Sequence, residues 1–218
     1  MTKKFLLVSL LAALVAAGAF AQMQFGIGAG YILSGRDMGA MTYEGTGWES
    51  TSNFQKTQPG GFLFLDATYA ELSLGLMSGR VSGGDTFNVL SMDIGLLGRY
   101  PIRVAKITVS PLLGAGYNLV LSASKNSGAD INWGKNNLPD EAGDYSTIRI
   151  MLGVGADFDV TDHVFARAGY AAHYAFAPEA IAKVVERENN NSNNNNKYSK
   201  SKSGGIGGTY TFALGYRF

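Results

Sequence analysis

The chain has 218 residues, of which 16% are charged, 11% are aromatic and 29 are glycine. Charge is sparser than the roughly 25% of an ordinary soluble protein, yet no run of about 20 apolar residues follows the N-terminus, which excludes a helical membrane protein. A net charge of +1 removes the electrostatic case for nucleic acid as a partner, and the absence of cysteine excludes disulfides, thiolate metal sites and a cysteine nucleophile.

Residues 1–21 read as a signal peptide. Lys3 and Lys4 precede an apolar run from Phe5 to Ala17, and Ala19, Phe20 and Ala21 then form a small-x-small cleavage pattern. Cleavage there leaves one domain, residues 22–218, in which 16 basic residues face 17 acidic ones, and no cysteine follows the site to carry a lipid.

From Phe25 onward the pattern has period 2, which puts successive side chains on opposite sides of a strand. In the first strand Phe25, Ile27, Ala29, Tyr31 and Leu33 share a face opposite Gly26, Gly28 and Gly30. The second sets Leu63, Leu65, Ala67 and Tyr69 against Phe64, Asp66 and Thr68, and the third sets Leu72, Leu74 and Leu76 against Glu71, Ser73 and Gly75. In the fourth, Leu90, Met92, Ile94, Leu96 and Tyr100 oppose Ser91, Asp93, Gly95 and Arg99. The fifth runs from Val109 to Leu121 against Thr108, Ser110, Gly114, Gly116 and Asn118; its Pro111 lacks a ladder donor and predicts a bulge or distortion. Three more follow, from Ile148 to Phe158 against Arg149 and Asp157, from Val164 to Phe176 against Arg167 and His173, and from Tyr210 to Phe218 against Thr211 and Arg217.

Alternation alone does not say which face is outside. The apolar faces are continuous, whereas the opposite faces hold glycine, small hydroxyls and charges. Apolar residues out and polar residues in, with the backbone closed on itself, is the sheet arrangement that hydrocarbon permits. The expected fold class is therefore all-β, a closed antiparallel transmembrane barrel of eight strands. The gaps agree: residues 34–60, 79–86, 123–145 and 177–204 alternate with tight turns near Ala70 and over 101–105 and 159–163. Barrels of this kind pair short periplasmic turns with long external loops, so an even strand number puts both termini in the periplasm. Aromatic residues then fall at both water interfaces, with Tyr69, Tyr100, Phe158, Tyr216 and Phe218 on the periplasmic side and Tyr31, Tyr117, Tyr174, Phe176 and Tyr210 toward the outside.

The inward face carries Asp66, Glu71, Asp93 and Asp157 against Arg99, Arg149, Arg167 and Arg217. Unpaired charge in a confined lumen is expensive, so these eight are expected to form a hydrogen-bonded network. Eight strands enclose a space that side chains just fill, which argues against a wide aqueous pore. His173 belongs to the lumen or upper rim and His163 to a turn; neither stands in a Ser/His/acid arrangement. Gly26, Gly28 and Gly30 lack the spacing and following helix of a dinucleotide fingerprint. No catalytic residue, metal site or cofactor is expected.

The signal peptide, the eight strands, the turn over residues 158–162 and the terminal Tyr216, Arg217 and Phe218 resemble the small outer-membrane barrels of the OmpA transmembrane-domain, OmpX and OmpW class, over all of residues 22–218. That resemblance implies an outer-membrane location and assigns Tyr216 and Phe218, with Thr211, to a terminal signal read by the barrel-assembly machinery. Ala213 stands where that signal usually has glycine.

Three external segments hold much of the polar sequence: residues 38–58 with Trp48, 125–144 with Trp133, and 178–203. The last opens on Pro178 at a favoured helix start, with Ile181, Val184 and Val185 on one helical face. It then passes into an asparagine-rich run over 189–196 that has no means of forming a core and reads as a mobile surface loop. Three functions compete. A barrel without catalytic activity would sit among outer-membrane lipids and present loops for an extracellular ligand or for envelope integrity. A narrow conduit for small apolar molecules is implied by the OmpW resemblance, with Met77, Leu112, Val120 and Met151 on the inward side. A lipid-modifying enzyme would need a nucleophile beside one of the two histidines, which the sequence does not supply. The first is the reading adopted.

Overall fold

The computed structural model describes residues 24–45, 48–83, 85–125, 142–176, 178–191, 197–202 and 204–218. The expected signal peptide and its cleavage site lie outside these residues, as do Trp133 and positions 192–196 of the asparagine-rich run. The described chain folds as β1 (Phe25–Gly45), β2 (Trp48–Ala67), β3 (Ala70–Gly83), β4 (Asp85–Arg99), β5 (Ile102–Val104), β6 (Ile107–Lys125), β7 (Thr147–Asp159), β8 (Val164–Phe176), α1 (Glu179–Asn191), β9 (Lys197–Lys202) and β10 (Gly204–Arg217), with a 3-10 turn at Ala142–Tyr145.

Eight long strands, β1 to β4, β6 to β8 and β10, pair antiparallel in sequence order, and β10 pairs β1 to close the barrel. The closure is staggered. Following partners once round from Gly26 passes through Asp66, Glu71, Leu97, Gly114, Met151, His173 and Gly207 and returns to β1 at Arg36, ten residues further on. At ordinary strand spacings, that stagger over eight strands gives a tilt of about 40° and a backbone radius of about 8 Å. A cylinder that narrow has room for side chains and little else.

Its apolar face is on the outside. Leu152, Leu214 and Leu113 are 65%, 63% and 62% exposed, whereas Asp157, Ser110 and Asn118 on the same strands or their neighbours are fully buried. The reason is the pleat: one side of each strand must face the lumen of a backbone cylinder about 8 Å in radius, and on that side stand the glycines, hydroxyls and charges.

The structure corrects the sequence reading in three places. Residues 38–45 and 48–58 are paired strand, not loop: β1 and β2 pair from Phe25↔Ala67 to Gly45↔Trp48, with one shift between Asp37 and Gly39. Apolar alternation stops there in the sequence, but backbone pairing needs no apolar face. Residues 178–203 contain two elements, α1, which takes in Asn189 to Asn191, and β9, which pairs with Ala40 to Glu44 of β1. Pro111 does not bulge its own strand. It sits in an unshifted ladder opposite Val154 of β7, and the interruption falls on the other neighbour, between β4 and β5 at Tyr100 and Pro101. Tyr100 N–H still donates to the Pro111 carbonyl at 3.3 Å, but Pro111 has no N–H to return the bond. The register shift along β4 and β6 lies further up, between Leu90 and Ser91.

Candidate functional site

The inward side chains collect into two ionic layers. The lower one begins with a conflict. Asp66 and Glu71 are direct cross-strand partners, and like charges directly opposite destabilise a sheet. Arg167 resolves it by reaching across from β8: its Nη2 donates to Asp66 at 2.6 Å and its Nη1 to Glu71. Nε and Nη2 also donate to Asp157, Arg167's own register partner, at 2.6 and 2.8 Å. Arg99 lies beside it and donates to both Asp66 oxygens at 2.9 Å, to Asp157 at 2.9 Å and to Ser110 at 3.3 Å. Arg217 adds bonds to Asp157 at 2.9 Å and to Asp159 at 2.6 Å, and Arg103 at the rim pairs with Asp159 at 2.9 Å. Four carboxylates thus face four guanidinium groups.

Aromatic rings hold this layer in place. The Arg167 guanidinium lies 4.6 Å from the Phe64 ring centre and 5.0 Å from that of Phe165, and Arg217 lies 4.2 Å from Phe165. Cation–π contact in a desolvated setting stabilises by about 2 kcal/mol. The rings fit because two facing positions lack a side chain: a Cβ at Gly28 would stand 2.3 Å from Phe64, and one at Gly215 would stand 2.3 Å from Phe165. Ile32, Phe62 and Met77 pack with these two rings in one apolar cluster.

The upper layer is built on Arg149, which is 2% exposed and pairs through Nη2 with Asp93. Asn118 Nδ2 donates to Asp93 at 3.4 Å and to Ser91 at 3.2 Å; Lys56 donates to Asn118 at 2.7 Å and Gln58 to Ser91 at 2.6 Å. His173 meets Thr209 at 3.3 Å, and Thr209 donates to Ser34 at 3.2 Å.

Of the eight charges singled out in the sequence, six meet in the lower layer: Asp66, Glu71, Asp157, Arg99, Arg167 and Arg217. Asp93 and Arg149 form a separate pair above. Tyr216 and Phe218 lie outside the network, at the barrel's lower edge, where Phe218 N–H donates to the Phe25 carbonyl at 2.9 Å and the two rings meet edge to face. Sequence reasoning missed Asp159 and Arg103, which look like turn residues, and Lys56 and Gln58, which it placed in a loop. The last two had a signal. They share parity with Phe62, Phe64 and Asp66, and so belong to the inward side of β2.

Between the layers lies a cavity of about 50 Å³ whose wall includes Glu71, Arg99 and Arg167 below and Asp93 and Arg149 above. Beneath the lower layer a recess of about 350 Å³, lined by Asp66, Arg99, Asp157 and Arg217 among others, opens at the short-turn end. Among the described residues no group of three or more His, Asp or Glu could hold a metal ion. His163 meets the Arg217 carbonyl at 3.1 Å and stacks on Tyr216.

No protein-family model matches the chain, and no curated protein matches it in sequence. Solved structures do match. The outer membrane protein OprG of Pseudomonas aeruginosa superimposes with a TM-score of 0.50 over 89% of this chain and 95% of that one, at 14% identity. Neisserial surface protein A gives 0.40 over 88% and 99% at 14% identity, and Ail, the attachment invasion locus protein of Yersinia pestis, gives 0.39 over 90% and 99% at 13% identity. The chain has the fold of the small eight-stranded outer-membrane barrels.

Proposed function

We propose that the protein resides in the bacterial outer membrane, has no catalytic activity, and uses a sealed barrel to hold an extracellular platform made of the β1–β2 hairpin, β9, α1 and their connections. The observation that carries this reading is the contrast between the two ends of β1 and β2. Inside the wall the lumen is filled, and the cavity between the ionic layers is of a size for a few water molecules. Past Arg36↔Gly207 and Gln55↔Ser82 the two strands leave their barrel partners, continue to Gly45 and Trp48, and gain β9 alongside. Here β1, β2 and β9 form a three-stranded sheet that extends past the pairings of β2 with β3 and of β1 with β10, β9 taking the place of β10 beside β1, and its use lies in what it presents.

The platform has its own fastening. Lys183 of α1 donates to Asp144 of the 3-10 turn at 2.8 Å and lies 3.5 Å from Glu179. The neighbouring Tyr145 phenol is pushed up to about 12, first by burial and then by Asp144. In this reading both termini face the periplasm, the barrel wall meets outer-membrane lipid, Tyr216 and Phe218 are presented to the barrel-assembly machinery, and the platform is the surface for an extracellular ligand.

The conduit reading has less support. Met77 is packed in the cluster with Ile32, Phe62, Phe64 and Phe165, and Val120 packs with Val89; these residues fill the lumen. Purified protein in planar bilayers should show no steady conductance, and liposomes carrying it should take up no apolar solute. Uptake above that of empty liposomes would replace the platform reading with the conduit. Proteolysis of intact cells should cut within the external segments 125–144 and 178–203 and leave the turn at 159–163 whole; cutting only at that turn would invert the orientation.

A further inference from the structure

The end of β10 is held by the turn between β7 and β8. The ladder of β8 with β10 runs to Tyr216↔Val164, and the next rung would pair Arg217 with His163. Half of that rung is ordinary: Arg217 N–H donates to the His163 carbonyl at 2.7 Å. In a regular hydrogen-bonded antiparallel pair the His163 N–H would return the bond to the Arg217 carbonyl. Here it is turned away toward Thr161 Oγ1 at 3.3 Å, and Thr161 Oγ1 also accepts from Val164 N–H at 2.9 Å. The imidazole supplies the missing half, with His163 Nδ1 at 3.1 Å from the Arg217 carbonyl. A carbonyl only accepts, so Nδ1 carries the hydrogen. The same ring stacks on Tyr216, with centroids 5.4 Å apart and planes at 19°. One side chain thus meets two successive residues of the last strand, one through its backbone and one through its ring.

We propose that His163 is a positioning residue for barrel closure, which fixes the register of β10 by completing the Arg217 rung and covering Tyr216. A slip of one residue moves the rung onto Tyr216 or Phe218 and turns every side chain of β10 to the other side of the sheet. The Tyr216 ring then leaves the imidazole, so the bond and the stack form together only in the native register. Arg217 is held from the same hairpin at its far end too, since its guanidinium bonds Asp157 and Asp159 of β7. The other flank of β10 offers less on its inner side, where Gly28 meets Gly215 and Gly30 meets Ala213. This role is independent of the platform and of what the platform recognises.

The test compares His163→Asn with His163→Gln in purified protein refolded into liposomes. Both remove the ring, but the asparagine amide can stand where Nδ1 stood, whereas the glutamine amide lies one carbon further out. The ratio of heat-modifiable, folded protein to unfolded protein should be about fivefold higher for His163→Asn, the factor set by one hydrogen bond of ordinary strength. Hydrogen exchange should place the difference at the end of the strand: the Arg217 and Phe218 amides exchange about fivefold faster in His163→Gln, while amides in the middle of β10 keep the same rates in both. Equal folding and equal exchange in the two variants would overturn the proposal. Should neither variant fold, the wild-type barrel decides by nitrogen-15 NMR of the imidazole. A hydrogen on Nδ1 is expected; a ring that carries its only hydrogen on Nε2 has nothing to donate to the Arg217 carbonyl and would equally overturn it.

Discussion

Arg167 is the residue on which the lower layer depends. Four of its five N–H groups serve Asp157, Asp66 and Glu71, and Phe64 and Phe165 cover its plane. Buried ion pairs give little net stability relative to an apolar core, but removing one partner leaves the others uncompensated at a cost of about 3–5 kcal/mol. Arg167→Met should therefore lower the unfolding free energy of the liposome-inserted barrel by about that amount, measured by urea titration. Adding Glu71→Gln should recover part of the loss, since one of the stranded charges is then removed. Strict additivity would mean that the two side chains do not share a network. A second prediction concerns the glycines. Gly215→Ala drives a methyl into the Phe165 ring, and overpacking of that kind costs about 1–3 kcal/mol. Phe165→Leu in the same chain should relieve it, so the double variant should be more stable than the sum of the two single changes. The charges of this site were legible in the sequence because each falls on the polar side of an alternating strand. The glycine-to-ring fit was not, because Gly215 and Phe165 meet only once β8 and β10 are in register.

At the level of strands and turns, what could be read from sequence depended on where water is. Within the wall one face of every strand is the apolar outer surface and the other lines a polar lumen, so a period of 2 marks β3, β7 and β8 plainly. Above the wall, residues such as Thr42, Tyr43, Ser50 and Thr51 pair with no apolar stripe in the sequence to mark them. Helix α1 was visible from its 3.6-residue spacing, whereas β9, a strand of three lysines, two serines and a tyrosine, carries no pattern apart from its partner β1. Turns leave a different signature. The β5–β6 hairpin closes Val104 onto Ile107 through Ala105 and Lys106, and Ala105 has φ of 55°. An L-residue with a Cβ pays roughly 1–2 kcal/mol in that left-handed region, and glycine does not, although its looser unfolded chain returns about 0.4–1 kcal/mol of the gain. Ala105→Gly should accordingly raise stability by about 0.5–1 kcal/mol, seen as a shifted urea midpoint at unchanged slope. A loss of stability would show that the turn does not hold this conformation in the membrane.

For the molecule as a whole, closure is the event that everything else waits for. A barrel has no free edge only when its first and last strands meet, and here the inner side of that seam is sparse: Gly28 pairs with Gly215, Gly30 with Ala213 and Arg36 with Gly207. With few side chains to zip together on the inner side, registration along the seam rests on its backbone bonds and on its outer flank, where Ile27 meets Tyr216, Ala29 meets Leu214 and Tyr31 meets Phe212. The seam ends at Phe218, whose N–H donates to the Phe25 carbonyl and whose ring packs edge to face against Tyr216 at 5.4 Å. A slip of one residue at this end would turn the whole of β10 inside out, sending Arg217 to the apolar outer surface and breaking its bonds to Asp157 and Asp159. Deleting Phe218 should then act mainly on how much protein closes correctly. The heat-modifiable, folded fraction recovered from the outer membrane should fall, while molecules that do close should keep the unfolding free energy of the full-length chain to within about 1 kcal/mol, the scale of one hydrogen bond. Phe218→Ala, which keeps the backbone bond and removes the ring, should give an intermediate folded fraction. An undiminished fraction in both variants would mean that closure is guided from elsewhere in the wall.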